Sequence, residues 1–218
     1  MASNGGPFPD LSSPDVSRVD RSIVLVGLMG AGKTCIGRRL AARLGLAFTD
    51  ADSEIEEAAG CSIEDYFAQH GEAAFRDGER RVIKRLLSGA PQVVSTGGGA
   101  FMDAGTRAEI RAHGVSLWLR ADLELLLKRT GRRNNRPLLK RGDPREILDR
   151  LIRERYPVYA EADVVVDSAD GPPDVTVERS ARGLEAWLKG DLDPLCGPGR
   201  PAARAAARAA DEGPEARP

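Results

Sequence analysis

The sequence contains few cysteine, histidine and aromatic residues and no long apolar segment. Its 218 residues include three cysteines and two histidines. Cys35, Cys61 and Cys196 are widely spaced and have no histidine at ligand spacing. This pattern argues against a disulfide framework or a zinc cage, and it predicts reduced thiols in a cytoplasmic protein. No apolar run approaches the roughly 20 residues of a membrane helix, so no membrane partner is expected. The N-terminus MASNGGPFPDLSS lacks a basic start and an apolar core, so we expect no secretory signal.

An excess of charge of either sign is also absent. The formal net charge is -1 and the isoelectric point is about 6.2. Such a balance gives no general attraction to nucleic acid, so no nucleic-acid partner is expected. With 41% hydrophobic residues, the chain can bury one core.

Both ends of the chain differ in composition from its middle. Residues 1–20 are rich in Gly, Pro, Ser and Asp, and residues 191–218 form a low-complexity segment rich in Ala, Arg and Pro. Neither end has apolar periodicity. We therefore predict two disordered tails around a single domain at residues 21–190.

Apolar runs and helical patterns alternate between the predicted tails. Residues 33–44 carry apolar side chains at helical spacing before Gly45, and Ser62, Asp122 and Asp143 are predicted helix caps. Strands separated by helices of this length form a mainly parallel α/β sheet that is covered on both faces. Ligands are expected at the carboxyl ends of its strands. The predicted strands are residues 22–26, 46–50, 92–96, 115–119 and 163–167.

The segment GLMGAGKT, residues 27–34, is typical of a phosphate-binding loop. It follows an apolar strand and opens a helix, as the G-x-x-x-x-G-K-T pattern requires. Its glycines let backbone N–H groups point at an anion, and the helix start adds positive potential. Lys33 would contact the β- and γ-phosphates, and Thr34 would face Mg²⁺. The loop alone leaves open whether the γ-phosphate goes to water or to another molecule.

Two acids and a glycine run add candidate site residues. Strand alternation at the end of the second strand predicts that Asp50 and Asp52 point to the same side. One could order the Mg²⁺ water shell and the other could deprotonate a hydroxyl, although such acids also serve as helix caps. Gly97 to Gly99 follow a strand, which indicates either close approach of the backbone to a ligand or a flexible turn.

Basic residues mark the remaining candidates. Arg76 and Glu79 are spaced to pair on a helix. Residues 128–141 carry seven Lys and Arg residues and no acid. This segment fits a charged connection, a nucleic-acid patch or a lid over ATP; the scarcity of aromatic residues disfavours nucleic acid, and the lid is the preferred interpretation.

The ordered motifs GLMGAGKT, FTDAD, FRDGE, GGGA, RPLL and RYPVY resemble those of the shikimate kinase family, in the nucleoside-monophosphate-kinase-like P-loop group. The resemblance covers roughly residues 21–188. It implies a three-layer P-loop fold with a five-stranded parallel sheet in the order 2-3-1-4-5, helices on both faces and a mobile lid at about residues 129–142. It also implies a monomer that uses ATP to phosphorylate the 3-hydroxyl of shikimate, a step towards chorismate and the aromatic amino acids.

The resemblance assigns roles on the substrate side. Arg76 and Arg155 would bind the carboxylate of shikimate, because an arginine fork matches a carboxylate in two hydrogen bonds. Asp52 would hold and activate the hydroxyl, and Glu79 would orient Arg76. Backbone contacts to the substrate would come from the glycine run Gly97, Gly98 and Gly99.

On the nucleotide side, the resemblance implies Mg²⁺ as cofactor and ATP as co-substrate. Thr34 and Asp50 would serve Mg²⁺, directly or through water. Lys33 and the lid residue Arg136 would stabilise charge on the transferring phosphoryl group, and Arg129 would cover the adenine. The residues assigned to ATP are Gly30, Ala31, Gly32, Lys33, Thr34, Cys35, Arg129 and Arg136.

Departures from the family pattern are small, and three other interpretations stay open. Thr34 replaces a frequent serine but keeps a hydroxyl, and Cys35 stands where threonine is common.

A gluconate-type kinase would share the phosphate loop and lid but has no reason to pair Arg76 with Arg155. A non-catalytic kinase-like protein would be expected to lack one of the key side chains, and an RNA-binding module is the least favoured.

Overall fold

The computed structural model describes residues 19–131 and 142–190. Strands and helices alternate along these residues as the sequence predicts. The elements, in chain order, are β1 (Ser22–Val26), α1 (Lys33–Leu44), β2 (Ala47–Asp50), α2 (Ala51–Ala59), α3 (Ile63–Leu87), β3 (Gln92–Ser95), a 3₁₀ turn (Ala100–Met102), α4 (Ala104–His113), β4 (Gly114–Arg120), α5 (Leu123–Thr130), α6 (Pro144–Tyr159), β5 (Val164–Asp167) and α7 (Pro173–Lys189).

The five strands form one parallel sheet in the order β2-β3-β1-β4-β5. This order and the α/β class are confirmed. In the central register, Val24 of β1 lies beside Val94 of β3 and Ser116 of β4. Because all strands run the same way, their carboxyl ends meet at one edge, where the phosphate loop follows β1.

The core explains why the strands could be recognised as apolar runs. Ile23, Val24 and Leu25 of β1 are completely buried, because helices cover both faces of the sheet. On α1, a Cβ at Gly37 would lie 2.6 Å from the Phe48 ring and 2.7 Å from Leu25 Cδ1. Glycine at this position therefore lets α1 approach the sheet closely.

Side-chain caps fix several helix starts at the predicted residues. Ser62 Oγ accepts from the Asp65 N–H of α3 at 3.1 Å, and Asp122 Oδ1 accepts from the Leu125 N–H of α5 at 2.7 Å. Asp143 Oδ1 caps α6 in the same way. These bonds satisfy backbone donors that a helix start would otherwise leave unpaired.

Several predicted features lie outside the described residues: nearly all of both tails, Cys196, and most of the lid with Arg136. Cys35 and Cys61 are free thiols. Within residues 19–131 and 142–190, no helix is long and apolar enough to cross a membrane.

Candidate active site

The phosphate loop has a backbone that its glycines make possible. Gly27, Gly30 and Gly32 have φ values of 144°, 86° and 103°, a region that L side chains rarely adopt. A Cβ at Gly27 would also lie only 2.7 Å from the Leu119 carbonyl oxygen at the end of β4. The loop therefore curls tightly between two strand ends and presents the start of α1 to the cavity described below.

Lys33 is the first residue of α1 and lies over the loop. Its ammonium donates to the carbonyl oxygens of Gly27 at 2.7 Å and Leu28 at 3.1 Å. A positive charge is thus held where a phosphate would meet the loop.

Thr34 and Asp50 are in contact, and Asp52 lies near them, but for a different structural reason from the one predicted. The Thr34 hydroxyl donates to Asp50 Oδ2 at 3.1 Å. The strand β2 ends at Asp50 and α2 begins at Ala51, so the prediction that strand alternation aligns Asp50 with Asp52 is wrong. Asp52 instead lies in the first turn of α2, and its N–H donates to the capping Asp50 Oδ1 at 3.2 Å. The helix start keeps both acids at the same cavity.

One open cavity of about 740 Å³ connects these groups. It extends from Asp52 and the glycine run, past the phosphate loop, to the end of α5 and the loop after β5. Its lining includes the predicted residues Gly30, Gly32, Lys33, Thr34, Cys35, Asp50, Asp52, Gly97, Gly98 and Arg129. A volume of this size can hold a drug-sized ligand.

The surroundings of Asp52 raise the pKa of its carboxyl. Burial is the largest cause, and the nearby Asp50 carboxylate adds to it, whereas Lys33 and Arg76 act in the opposite direction. A carboxylate with a raised pKa is a stronger base, which suits a group that accepts a proton from a hydroxyl.

Arg76 and Glu79 of α3 form the predicted ion pair. The pair is largely buried, which the spacing of the two residues could not indicate. Arg76 NH1 donates to Glu79 Oε2 at 2.6 Å, and the Glu79 side chain is only 2% exposed. Burial raises the pKa of Glu79, although Arg76 acts to lower it. The buried carboxylate holds the guanidinium beside Gly99 of the glycine run.

The three consecutive glycines have a structural reason that the sequence did not reveal. A Cβ at Gly97 would lie 2.7 Å from Asp52 Oδ1, one at Gly98 would lie 3.4 Å from Arg155 NH1, and one at Gly99 would collide with the Arg76 guanidinium. Each glycine therefore faces one of the three predicted substrate-binding side chains. The segment brings an acid and two arginines from three different helices to one short stretch of backbone.

Arg155 is distinguished from the other arginines of α6 by its contacts. Its NH1 donates to the Gly98 carbonyl oxygen at 2.8 Å, and its side chain is partly buried. Arg150 and Arg153 are exposed, with acidic partners on their own helix.

Arg129 joins the phosphate loop to the loop after β5. Its guanidinium donates to Ser168 Oγ at 2.8 Å, to the Ala169 carbonyl at 2.7 Å and to the Ala31 carbonyl at 3.2 Å. Sequence reasoning missed Ser168, whose hydroxyl also donates to Ala31 O. Its position directly after a strand, at the ligand-binding edge of the sheet, was the available signal.

The fold and the cavity together define a class of protein. A phosphate loop that opens α1, a threonine-aspartate pair beside it and an acid in the same cavity are the parts of a P-loop kinase for a small molecule. Arg76 and Arg155 reach the glycine run beside that acid, although neither lines the cavity. Such a site provides positioning and charge for phosphoryl transfer.

Comparison with known proteins identifies the family. The shikimate kinase family model matches residues 29–185. A shikimate kinase of Paramagnetospirillum magneticum is 66% identical over 171 residues, which span 78% of this chain and 88% of that protein. One from Bradyrhizobium diazoefficiens is 56% identical, over 78% of this chain and 83% of its own length. The chain belongs to the shikimate kinase family.

Solved structures agree with this assignment. The structure of a shikimate kinase from Acinetobacter baumannii in complex with shikimate superimposes with a TM-score of 0.70 and 37% identity, over 81% of this chain and 97% of that one. A gluconokinase from Sinorhizobium meliloti superimposes with a TM-score of 0.55 and 20% identity, over 79% of this chain and 95% of that one, and this likeness concerns the fold alone.

Proposed function

We propose that this chain transfers the γ-phosphoryl group of ATP to the 3-hydroxyl of shikimate, giving shikimate 3-phosphate and ADP. The observation that carries the proposal is the contact of Asp52, Arg155 and Arg76 with three successive glycines beside the phosphate loop. Shikimate has a carboxylate at one end and hydroxyls at the other, so it needs cations at one end of its site and a base at the other. Membership of the shikimate kinase family supports the same activity and disfavours a gluconate-type kinase.

On the substrate side, the chain's own residues divide the work between binding and proton transfer. Arg76 and Arg155 bind the carboxylate, and the backbone of Gly97, Gly98 and Gly99 bounds the pocket between them. Asp52 orients the hydroxyl and takes its proton as the oxygen attacks phosphorus, and its raised pKa favours that role.

On the nucleotide side, the phosphate loop binds and the basic residues stabilise charge. The backbone of Gly30, Ala31, Gly32, Lys33, Thr34 and Cys35 would cradle the phosphates, and the Lys33 ammonium would move from its loop carbonyls to the transferring group. Arg129 would cover the adenine at its end of the cavity. Arg136, which lies outside the described residues, is proposed to complete the charge stabilisation.

The Thr34–Asp50 pair fits Mg²⁺. A hydroxyl and a carboxylate 3.1 Å apart at the mouth of the loop are hard oxygen donors, and Mg²⁺ takes few protein ligands because it keeps waters and phosphate oxygens. When bound, Mg²⁺ supplies positive charge to the phosphate oxygens. The chain's part is to hold it through Thr34 and through Asp50, directly or by way of water.

Replacing Thr34 by Val tests this site. We expect the Mg²⁺ concentration for half-maximal activity to rise at least about tenfold, because one oxygen donor to a charged group is lost. Thr49→Val is the matched control, since the Thr49 hydroxyl bonds to Gln92 Oε1 and not to Asp50. Equal Mg²⁺ dependence in the two variants would argue against Thr34 as a ligand.

Three broader proposals accompany the activity. The kinase domain spans residues 21–190, the protein is a monomer, and it works in the cytoplasm without a nucleic-acid or membrane partner. Cys35 and Cys61, which are unbonded thiols, support a reducing compartment. Light scattering of the full chain measures the oligomeric state.

ADP release from ATP and Mg²⁺ tests the function. We expect release with shikimate and none above background with gluconate, quinate or nucleoside monophosphates, because the chain belongs to the shikimate kinase family. Release with gluconate but not with shikimate would contradict the assignment of Arg76 and Arg155 to the shikimate carboxylate. Binding of ATP and shikimate in isothermal titration without turnover would favour a non-catalytic protein.

A further inference from the structure

Tyr159, the last residue of α6, has a completely buried side chain beside the glycine run. Its hydroxyl donates a hydrogen bond to the carbonyl oxygen of Gly98. Burying a hydroxyl without a partner is costly, so this bond fixes the hydroxyl and the carbonyl together. The contact joins residues 61 positions apart, so local spacing along the chain does not predict it.

The same carbonyl oxygen accepts from Arg155. Arg155 NH1 donates to Gly98 O at 2.8 Å, so one backbone oxygen receives the tyrosine hydroxyl and the guanidinium. Arg155 and Tyr159 are four residues apart on α6, which places both side chains on one face of the helix. Burial raises the pKa of Tyr159, whereas the charge of Arg155 and a hydrogen bond from Arg155 to the tyrosine hydroxyl act to lower it.

Two aromatic side chains hold the tyrosine ring. The Trp118 ring lies 5.8 Å from the Tyr159 ring and the Phe101 ring lies 6.4 Å from it, both in edge-to-face arrangements. Tyr159 itself does not line the cavity, whereas Gly98 does. The hydroxyl is therefore buried and meets the lining of the cavity at Gly98, whose carbonyl oxygen it shares with Arg155.

We propose that Tyr159 is a positioning residue for substrate recognition: its hydroxyl holds the Gly98 carbonyl, and through it the Arg155 guanidinium, in the orientation that receives the substrate carboxylate. Without this bond, Arg155 would keep its charge, but the carbonyl oxygen that orients its planar guanidinium would no longer be held in place. Planar recognition of a carboxylate depends on orientation, so affinity for the acid falls while the nucleotide site is unaffected. The inference rests on the proposed function, because it assigns Arg155 to the carboxylate of shikimate.

Tyr159→Phe tests the proposal, because it removes the hydroxyl and keeps the ring contacts. We expect KM for shikimate to rise about 3- to 10-fold, the effect of one lost hydrogen bond in a site that keeps its other contacts. KM for ATP and kcat should stay at wild-type values. A role confined to stability would lower the thermal midpoint without separating the two substrates.

Tyr156→Phe is the matched control. Tyr156 lies one turn earlier on α6, packs against the same Trp118, and donates its hydroxyl to the Ala121 carbonyl instead of the glycine run. It should leave KM for shikimate at the wild-type value. Equal KM values for shikimate in the two variants, or a parallel rise in KM for ATP in Tyr159→Phe, would overturn the positioning role.

A double-variant cycle with Arg155→Lys asks whether Tyr159 acts through Arg155. A lysine cannot form the planar fork, so adding Tyr159→Phe to Arg155→Lys should change KM for shikimate by no more than about twofold. The same 3- to 10-fold rise in both backgrounds, about one hydrogen bond's effect, would place the action of Tyr159 elsewhere. Failure of the wild-type chain to use shikimate would overturn the proposed function itself, whereas an active wild type with an unaffected Tyr159→Phe would overturn only this inference.

Discussion

Asp52→Asn is expected to lower kcat by about 10²- to 10⁴-fold, the range associated with loss of a general base. Asparagine keeps the size and polarity of the side chain but cannot accept the proton of the hydroxyl. The folded state and ATP binding should be retained, since Lys33, Arg129 and Ser168 supply the side-chain bonds to the phosphate loop within residues 19–131 and 142–190. Steady-state kinetics with shikimate and titration calorimetry with ATP measure the two effects separately.

Glu57→Gln is the matched control for this variant. Glu57 lies on the same helix, is exposed, and does not line the cavity. The same neutralising change there should leave kcat unchanged. Turnover near the wild-type value in Asp52→Asn would show that another group takes the proton.

The pH dependence of the wild-type enzyme gives a second readout of Asp52. Burial and the neighbouring Asp50 raise the pKa of Asp52, and the carboxyl must be ionised to act as a base. Lowering the pH through that raised pKa protonates Asp52 and removes activity. The acid limb of kcat/KM should therefore lie above the usual pKa of an aspartate, and it should vanish from the residual activity of Asp52→Asn.

Arg76→Met is expected to cost about 3–5 kcal/mol in the free energy of unfolding at neutral pH. The substitution leaves the Glu79 carboxylate, with its side chain 2% exposed, without the guanidinium that contacts it at 2.6 Å. The variant should also bind shikimate poorly, because one of the two cations proposed to bind its carboxylate is gone. Urea denaturation at neutral pH measures the first effect, and KM for shikimate measures the second.

The loss of stability in Arg76→Met should depend on pH with a defined sign. Arg76 acts to lower the pKa of Glu79, so its removal leaves burial and the neighbouring Asp52 and Asp103 to raise that pKa further. The folded state then holds a proton that the unfolded state releases at lower pH. Stability should therefore be fullest below the usual pKa of a glutamate and should fall as pH rises through the raised value.

Arg76→Met combined with Glu79→Gln provides the control. A neutral amide needs no guanidinium, so the double variant should recover most of the stability and lose the pH dependence, while KM for shikimate stays high. If the double variant were as unstable as Arg76→Met at every pH, the buried charge would not be the cause of the loss.

The sheet could be predicted from the sequence because four of its five strands are almost entirely buried, whereas β2 is only partly buried. Such strands consist of continuous apolar residues, and the structure places the five predicted strands within one residue of their expected ends. The phosphate loop and the helix caps could also be predicted from the sequence, since each depends on residue types within a few positions of one another. Gly27, Gly30 and Gly32 have the positive φ values that the loop needs.

Only part of the candidate site could be predicted from the sequence. The spacing of Arg76 and Glu79 predicted their pair, but not that the carboxylate is buried, because its burial depends on the elements packed around α3. The proximity of Asp52 to Asp50 was predicted for the wrong reason, since the first turn of α2 and not the pleat of β2 sets it. The glycine run suggested a close approach, but not that the approaching groups are Asp52, Arg155 and Arg76.

The sequence by itself determined the local features of this protein: the parallel strands, the phosphate loop and the motifs shared with shikimate kinases. The family resemblance singled out Arg155 among the arginines of α6, but tertiary structure alone decided that it donates to the Gly98 carbonyl oxygen and that Tyr159 contacts the same oxygen. The physical reason is separation along the chain. Arg155 and Gly98 are 57 positions apart, and no local pattern records a contact that forms only when helices and strands pack.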